Sequence, residues 1–373
     1  MHPMIKPALR RGWRDRQTVQ YGVAAAHAVL LGPVDDTTAV LLDLLDGTRS
    51  LPRLRSEATA LGLPPDAADR LVERLTRAGL IDDATADRQA AAGVGERLRA
   101  DLASLSVVHP EPGGGPRRLA ARRAGRVQVR GAGRVGATVA AALSAAGVGR
   151  VDVVDGGQVE PWDTTPGGIP GTGVGERRDA AARKAVNGAA PWPTRGSPAD
   201  EGARDGLSLV VIAPRDGLDA YAPDPATAER FVRAGIPHLY GGVIEGTGVV
   251  GPLVLPGVTP CASCLMRTRS EREPSWPLVV GQWRTAARRR AGVAACDTAL
   301  ALMVAGAVAS YALSYLDGDG GCAAGYRMRL VLPHLVPDTE LFTAHRECPC
   351  GADSATVERP PSAREAGQAT MAG

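Results

Sequence analysis

Two short apolar runs, residues 126–129 and 150–155, enclose the turn Gly131-Ala-Gly133-Arg134-Val-Gly136 and a helix of small residues, ATVAAALSAAG. A G-x-G-x-x-G turn between a strand and a helix restricts the chain to few architectures. The first glycine permits the tight turn, the second lets a phosphate approach backbone, and the third lets the helix pack closely on the strand. Asp155 ends the second run about twenty positions on, where a carboxylate can accept ribose hydroxyls. The pattern is a βαβ opening and predicts a nucleotide cradle on Gly131, Gly133, Gly136 and Asp155. A helix that merely packs closely on its sheet would use the same glycines. A nicotinamide dehydrogenase is the first candidate from the turn alone, but His2, His27, His109, His238 and His334 are scattered and mark no hydride-site acid.

Further runs, LSLVVIAP, AGIPHLYGGVIEG and GVVGPLVLP, supply more strands around a helix PATAERFVRAG, so the expected class is α/β with a Rossmann-like doubly wound sheet. At 373 residues and 44% hydrophobic, the chain can hold one large and one small domain. Its 43 basic and 40 acidic residues leave a net charge of +3, and 3% aromatics give few rings for stacking bases, which argues against a nucleic-acid partner. Lys6 and Lys184 are the only lysines among many arginines, a bias of genomic composition. The N-terminal residues lack an apolar core of signal-peptide length, so a cytoplasmic location without membrane attachment is expected. Residues 292–316 are long and apolar enough to imitate a membrane span; Asp297 and the many alanines favour a buried core helix.

The N-terminal residues 1–88 read as a small winged-helix-like domain: a strand at residues 28–31, then three helices. Asp36 and Ser50 are the expected caps of the first two, and the third places Ala68, Leu71, Val72, Leu75 and Ala78 on one face. That third helix mixes Asp66, Asp69 and Glu73 with Arg70, Arg74 and Arg77, a solvated face poorly suited to DNA phosphates. Residues 89–125 are expected to be linker and helix, with PEPGGGP at 110–116 as a flexible break. Residues 126–353 form the nucleotide-binding domain, and 354–373 form a disordered tail.

The six cysteines are too few for a disulfide scaffold in so long a chain. Cys261 and Cys264 make C-x-x-C, Cys348 and Cys350 make C-x-C, and four thiolates would complete a closed, structural zinc site. A redox pair or buried thiols are the alternatives. His345 is a spare ligand only if one cysteine is absent. Cys296, near a helix start, is either a nucleophile with a lowered pKa or a packed thiol. Cys322 has no partner in this scheme.

The glycine turn, AGVGR at 146–150, Asp155, C-x-x-C after GPLVLPG and a late cysteine pair, in that order, resemble the ThiF-type family over residues 126–351. This is the superfamily of ubiquitin-activating-like enzymes that adenylate a carboxyl terminus. The resemblance implies ATP and Mg²⁺ as cofactors, Asp216 as the magnesium-binding aspartate, residues 268–291 as a mobile crossover loop over the site, and a homodimer. The family's phosphate lysine falls on Arg178, which keeps charge without the point-charge geometry. Where the family carries Asn and Arg after the second strand, this chain has Asp163 and Pro166. Lys184, nearly two turns beyond Arg178, is a poor substitute. The N-terminal segment, with VDDTTAVLLDLLDGT and AGLID, resembles the peptide-clamp or leader-recognition domain of enzymes that modify ribosomal peptides; such clamps take a peptide as an added strand.

Two functions follow. The first is an ATP-dependent adenylyltransferase acting on the C-terminal carboxylate of a small protein or peptide, with Arg134 and Arg178 near the phosphates and Mg²⁺ on Asp216. The second is a non-catalytic, cyclodehydratase-type partner that grips a leader peptide and presents it to a separate modifying enzyme. The intact GAGRVG, Asp155 and Asp216 favour the first; Asp163 and Pro166 favour the second; adenylylation, or at least ATP binding, is the leading expectation.

Overall fold

The computed structural model describes residues 1–86, 88, 96–191, 206–289, 292–319, 324–352 and 369–371. The chain divides into two units, Met1–Ala120 with Pro361–Gly373, and Ala121–Pro360.

In the first unit, β1 (Pro3–Ile5) pairs antiparallel with β5 (Ile81–Asp83), while β2 (Arg11–Trp13), β3 (Val19–Tyr21) and β4 (Val29–Leu31) form an antiparallel meander. Three helices follow it: α1 (Asp36–Asp43), α2 (Leu51–Ala60) and α3 (Ala67–Arg77). The cap of α1 is Asp35, one residue before the expected Asp36, and its carboxylate accepts the Thr38 N–H. Ser50 stands at the start of α2 without a side-chain cap bond. Ala68, Val72 and Leu75 of α3 are buried with Leu31, Leu41, Leu54 and Ile81. Each of the larger side chains contributes about 1.5–3 kcal/mol by leaving water. The sequence pattern showed only one of these five strands.

Residues 110–116 are not a break. The buried Asp82 carboxylate accepts the Gly113 N–H at 2.7 Å and the Ser106 hydroxyl at 2.6 Å. The buried Lys6 ammonium donates to the carbonyls of Ser106, His109 and Pro110. Those bonds hold the turn between α4 (Arg99–Val108) and α5 (Gly114–Ala124). Most of the segment expected to be a disordered tail lies outside the described residues, as does all of 89–95. Ala369–Met371 is described: it forms a strand parallel to β4, so the sheet order is this segment, β4, β3, β2.

The second unit holds a seven-stranded sheet in the order β12-β11-β10-β9-β8-β6-β7. β7 (Arg150–Val154), β6 (Arg126–Arg130), β8 (Leu209–Ile212) and β9 (His238–Ile244) run parallel. β10 (Thr247–Val254), β11 (Tyr326–Val331) and β12 (Pro337–Leu341) continue the sheet antiparallel. The Rossmann-like half is therefore extended by a meander, and the strand order reverses direction at β6, where the glycine turn sits.

Period-two alternation sends Leu209 and Val211 to one face of β8 and Val210 and Ile212 to the other. On the first face lie α6 (Arg134–Ala145), α7 (Arg178–Ala189) and α12 (Thr298–Leu316). On the second lie α9 (Pro225–Arg233), which follows the one-turn helix α8 (Leu218–Tyr221), and the start of α10 (Ala262–Arg272). Helix α12 is long and apolar enough to cross a membrane. Leu300, Ala301, Val304, Ala305 and Val308 bury it in the sheet core, and Asp297 caps it by accepting the Ala299 and Leu300 N–H groups. The stretch expected to be a mobile crossover loop is instead largely helical, formed by the end of α10 and by α11 (Trp276–Arg289), which is tied by Arg284 to the Ala222 carbonyl at 2.8 Å.

Candidate functional site

The glycine turn is built as its spacing requires. Gly131 has φ +112°, and a Cβ there would lie 1.8 Å from the Ala213 carbonyl oxygen. A Cβ on Gly136 would lie 2.1 Å from the Gly131 oxygen, so strand, turn and helix meet with no space for any other residue. Gly133 is the N-cap of α6 and offers no side chain to the first-turn amides. This is the backbone geometry of an anion cradle.

The side chains around it are engaged with one another. Asp155 Oδ2 accepts the Ala132 N–H at 2.6 Å, Oδ1 accepts the Gly156 N–H, and Arg178 Nε stands 3.3 Å from Oδ1. Arg178 also donates to the carbonyls of Gly156 and Gln158. Asp163, whose side chain is 3% exposed, accepts Arg215 Nε at 2.5 Å and the Glu160 N–H at 2.9 Å. Arg215 donates in addition to Glu160, and Arg178 lies 3.8 Å from Asp163. Arg134 turns to the Trp162 carbonyl at 2.7 Å and the Cys296 carbonyl at 2.8 Å.

Arg215 lies directly over the turn, with its Cγ 3.1 Å from where a Gly133 Cβ would sit. Burial works against its charge, yet the hydrogen bonds it donates to the Asp163 and Glu160 carboxylates hold the guanidinium pKa above the ordinary value. Between Gly133, Arg134, Asp163, Arg215 and Cys296 the remaining cavity is about 20 Å³, room for little more than one water.

The sequence placed Gly131, Gly133, Arg134, Gly136, Asp155 and Arg178 here, and the structure gathers them. Among the described residues it does not bring a free cation to the turn: two guanidiniums, Arg178 and Arg215, stand among three carboxylates, Asp155, Asp163 and Glu160. A triphosphate does not fit this arrangement unless those pairs open. Asp216 is exposed after β8, and its Oδ1 accepts the Leu218 N–H at 3.1 Å. Lys184 is spent on Glu176 at 2.7 Å. Arg215 was not among the expected residues; its only signal is its place beside Asp216 at the end of a parallel strand.

Cys296 lines the cavity, but burial raises its thiol pKa and outweighs the nearby Arg134, the reverse of activation by a helix start. Cys322 lies outside the described residues.

Cys261, Cys264, Cys348 and Cys350 place their sulfurs within 4.8 Å of one another, a group able to hold a metal. Sulfur separations of 3.9, 3.6 and 3.5 Å rule out a formed disulfide in each of those pairs. They match the edge of a tetrahedron with 2.3 Å metal–sulfur bonds, about 3.8 Å. Without a cation the four thiols cannot all ionise. A hydrogen bond from Cys264 leads in drawing Cys261 down to about 4, while Cys264 is pushed up by its bond to Cys261 and Cys348 by burial to about 11. His345 is not needed as a ligand: its Nε2 is 3.0 Å from Glu271 and its Nδ1 accepts the Glu347 N–H.

The sequence signature of the ThiF family matches residues 111–350. The chain belongs to the ThiF family. No curated protein sequence matches it significantly. Among solved structures, this ThiF chain resembles E. coli MccB with ATP at TM-score 0.68 and 13% identity, covering 94% of this chain and 99% of that one. It resembles MccB with N-formylated MccA equally, at 0.68 and 13%, covering 94% and 100%. The heterocyclase TruD follows at 0.60 and 16%, with 94% of this chain matching 43% of TruD. These likenesses establish the fold.

Proposed function

We propose that this ThiF-family chain is a peptide-binding partner in a peptide-modification system, gripping a leader peptide and presenting it to a separate modifying enzyme. The observation that carries the reading is the closed charge set over the glycine turn. Arg215 and Arg178 are held by Asp163, Glu160 and Asp155, and Arg134 by carbonyls, so no described guanidinium at the turn is left for a triphosphate. Adenylylation works by positioning and charge neutralisation, and these pairs would have to open before the cradle could offer either to ATP.

The N-terminal unit supports the peptide side. A meander followed by three helices suits a clamp, and the outer edge of β4 takes a further strand, as its pairing with Ala369–Met371 illustrates. MccB in complex with MccA, and the heterocyclase TruD, are structural neighbours whose names concern peptides and ring formation. The four-cysteine group would hold zinc, a closed thiolate shell that fastens the segment after β12 to the start of α10 and leaves no position for a substrate. Leu302 and Met303, exposed on α12, suit a homodimer contact in the same family manner, and the protein is proposed to act in the cytoplasm.

A second reading is favoured by the intact backbone of the turn: ATP-dependent adenylylation of a peptide carboxylate, with Mg²⁺ on Asp216. ATP–pyrophosphate exchange and nucleotide binding, measured on wild type and Asp216→Ala, decide between them. The partner reading expects neither activity at millimolar ATP. Exchange that Asp216→Ala abolishes would replace it with the enzyme.

A further inference from the structure

A second pocket in the larger unit shares no lining residue with the glycine turn. Its floor is Arg327 on β11, directly opposite Glu340 on β12 in the strand register. Only 6% of the Arg327 side chain is exposed, yet Glu340 Oε2 stays 3.6 Å away, and the buried Nε has no hydrogen-bond acceptor among the described residues. The guanidinium lies over two aromatic rings, 5.5 Å from the Tyr221 centroid and 5.0 Å from that of Phe342. Trp276, Leu265 and Met266 complete an apolar wall, and Arg269, paired to Glu273 at 2.9 Å, covers the Trp276 ring. Burial depresses the Arg327 pKa, which marks the cost of holding a charge there with so little compensation.

Such a cation is expensive unless an anion completes it. The surroundings select that anion. A bare phosphate gains nothing from the rings, whereas a carboxylate on a carbon carrying an apolar side chain places its oxygens on Arg327 and its side chain against Tyr221, Trp276 and Phe342.

We propose that this pocket binds the C-terminal residue of a peptide, free carboxylate on Arg327 and apolar side chain on the aromatic wall. Only the origin of the carboxylate, a peptide, rests on the peptide-handling reading; the pocket chemistry stands without it. Cys261 is the N-cap of helix α10, so the cysteine group sets the position of Leu265 and Met266 in the wall.

The test uses purified full-length protein and three probes: N-acetyl-L-phenylalanine, its amide, and inorganic phosphate, followed by ligand-observed NMR titration. The acid is expected to bind at least about tenfold more tightly than the amide or phosphate, the worth of one charge-assisted hydrogen-bond pair. Arg327→Gln should erase the preference for acid over amide while leaving leader-peptide binding by the N-terminal unit unchanged. Glu340→Gln, which removes the competing carboxylate, should tighten acid binding severalfold, and it carries the test if the Arg327 variant fails to fold. Equal binding of acid and amide, phosphate binding as tightly as the acid, no binding of the acid at all, or an unaltered affinity in Glu340→Gln would overturn the proposal. Because the probes lack a leader sequence, failure of the clamp reading shows as lost leader binding with acid selectivity intact.

Discussion

Arg215 is bonded at 2.5 Å to the buried carboxylate of Asp163, joining the loop after β8 to the short turn that follows β7 across the mouth of the glycine turn. Arg215→Ala would leave Asp163 with the Glu160 N–H and an arginine 3.8 Å away. Removing one partner of a buried pair costs about 3–5 kcal/mol; since 31% of the Arg215 side chain reaches solvent, about 2 kcal/mol is the expectation, read by urea denaturation. Asp163→Asn keeps an acceptor for Arg215 and should cost less. A double-mutant cycle measures their coupling; zero coupling would mean the pair does not hold the cradle shut.

The cysteine group makes a separate demand. Cys348→Ser is expected to abolish stoichiometric zinc in elemental analysis and to lower the Tm by well over about 10 °C, as metal binding in such sites contributes on the order of 10 kcal/mol to folding. A chelator should act on wild type in the same direction and leave the variant unchanged. Full stability of metal-free protein would remove the structural role.

How far the sequence could be read depended on whether the signal was local. Gly136 is constrained by Gly131 five positions before it, and each cysteine has a partner two or three positions away, so spacing alone revealed them, although Gly131 itself packs on the distant Ala213. The strands β1 to β3 are three residues each, too short for alternation to register, and they are held by partners such as Asp83 and Leu31 far along or across the chain. Residues 110–116 looked like a flexible break from their glycines and prolines. What fixes them is Asp82 and Lys6, contacts no window of sequence contains. Arg215 escaped for the same reason: nothing in APRDG states that its guanidinium folds back over Gly133.

His238 gives the larger unit a specific response to acid. Its ring is wholly buried between Phe231 and Tyr240, each 5.6 Å away, with Nδ1 3.2 Å from the Ile236 carbonyl. Desolvation lowers its pKa below the ordinary 6.5. Below pH 6.5 the unfolded chain takes up a proton that the folded one resists, so stability rises with pH through this range and is lost as pH falls below it. His238→Gln should flatten the difference in unfolding free energy between pH 7 and pH 5.5. An identical pH slope in wild type and variant would assign the acid response to other groups.

Occupancy of the β4 edge is the most direct way to examine the clamp. Ala369, Thr370 and Met371 pair with Val29, Leu30 and Leu31, so a leader peptide that adds to this edge must displace them. The apparent affinity then falls by the fraction of molecules whose edge is open. A three-residue strand is a weak competitor, and truncation after residue 360 is expected to tighten binding of a fluorescent leader peptide by about threefold to tenfold, read by anisotropy. Pro at Leu30, which removes a backbone donor from β4, should weaken the same peptide in both the full and the truncated chain. Peptide binding that persists unchanged through both alterations would move the leader site away from β4, to a surface that needs no added strand.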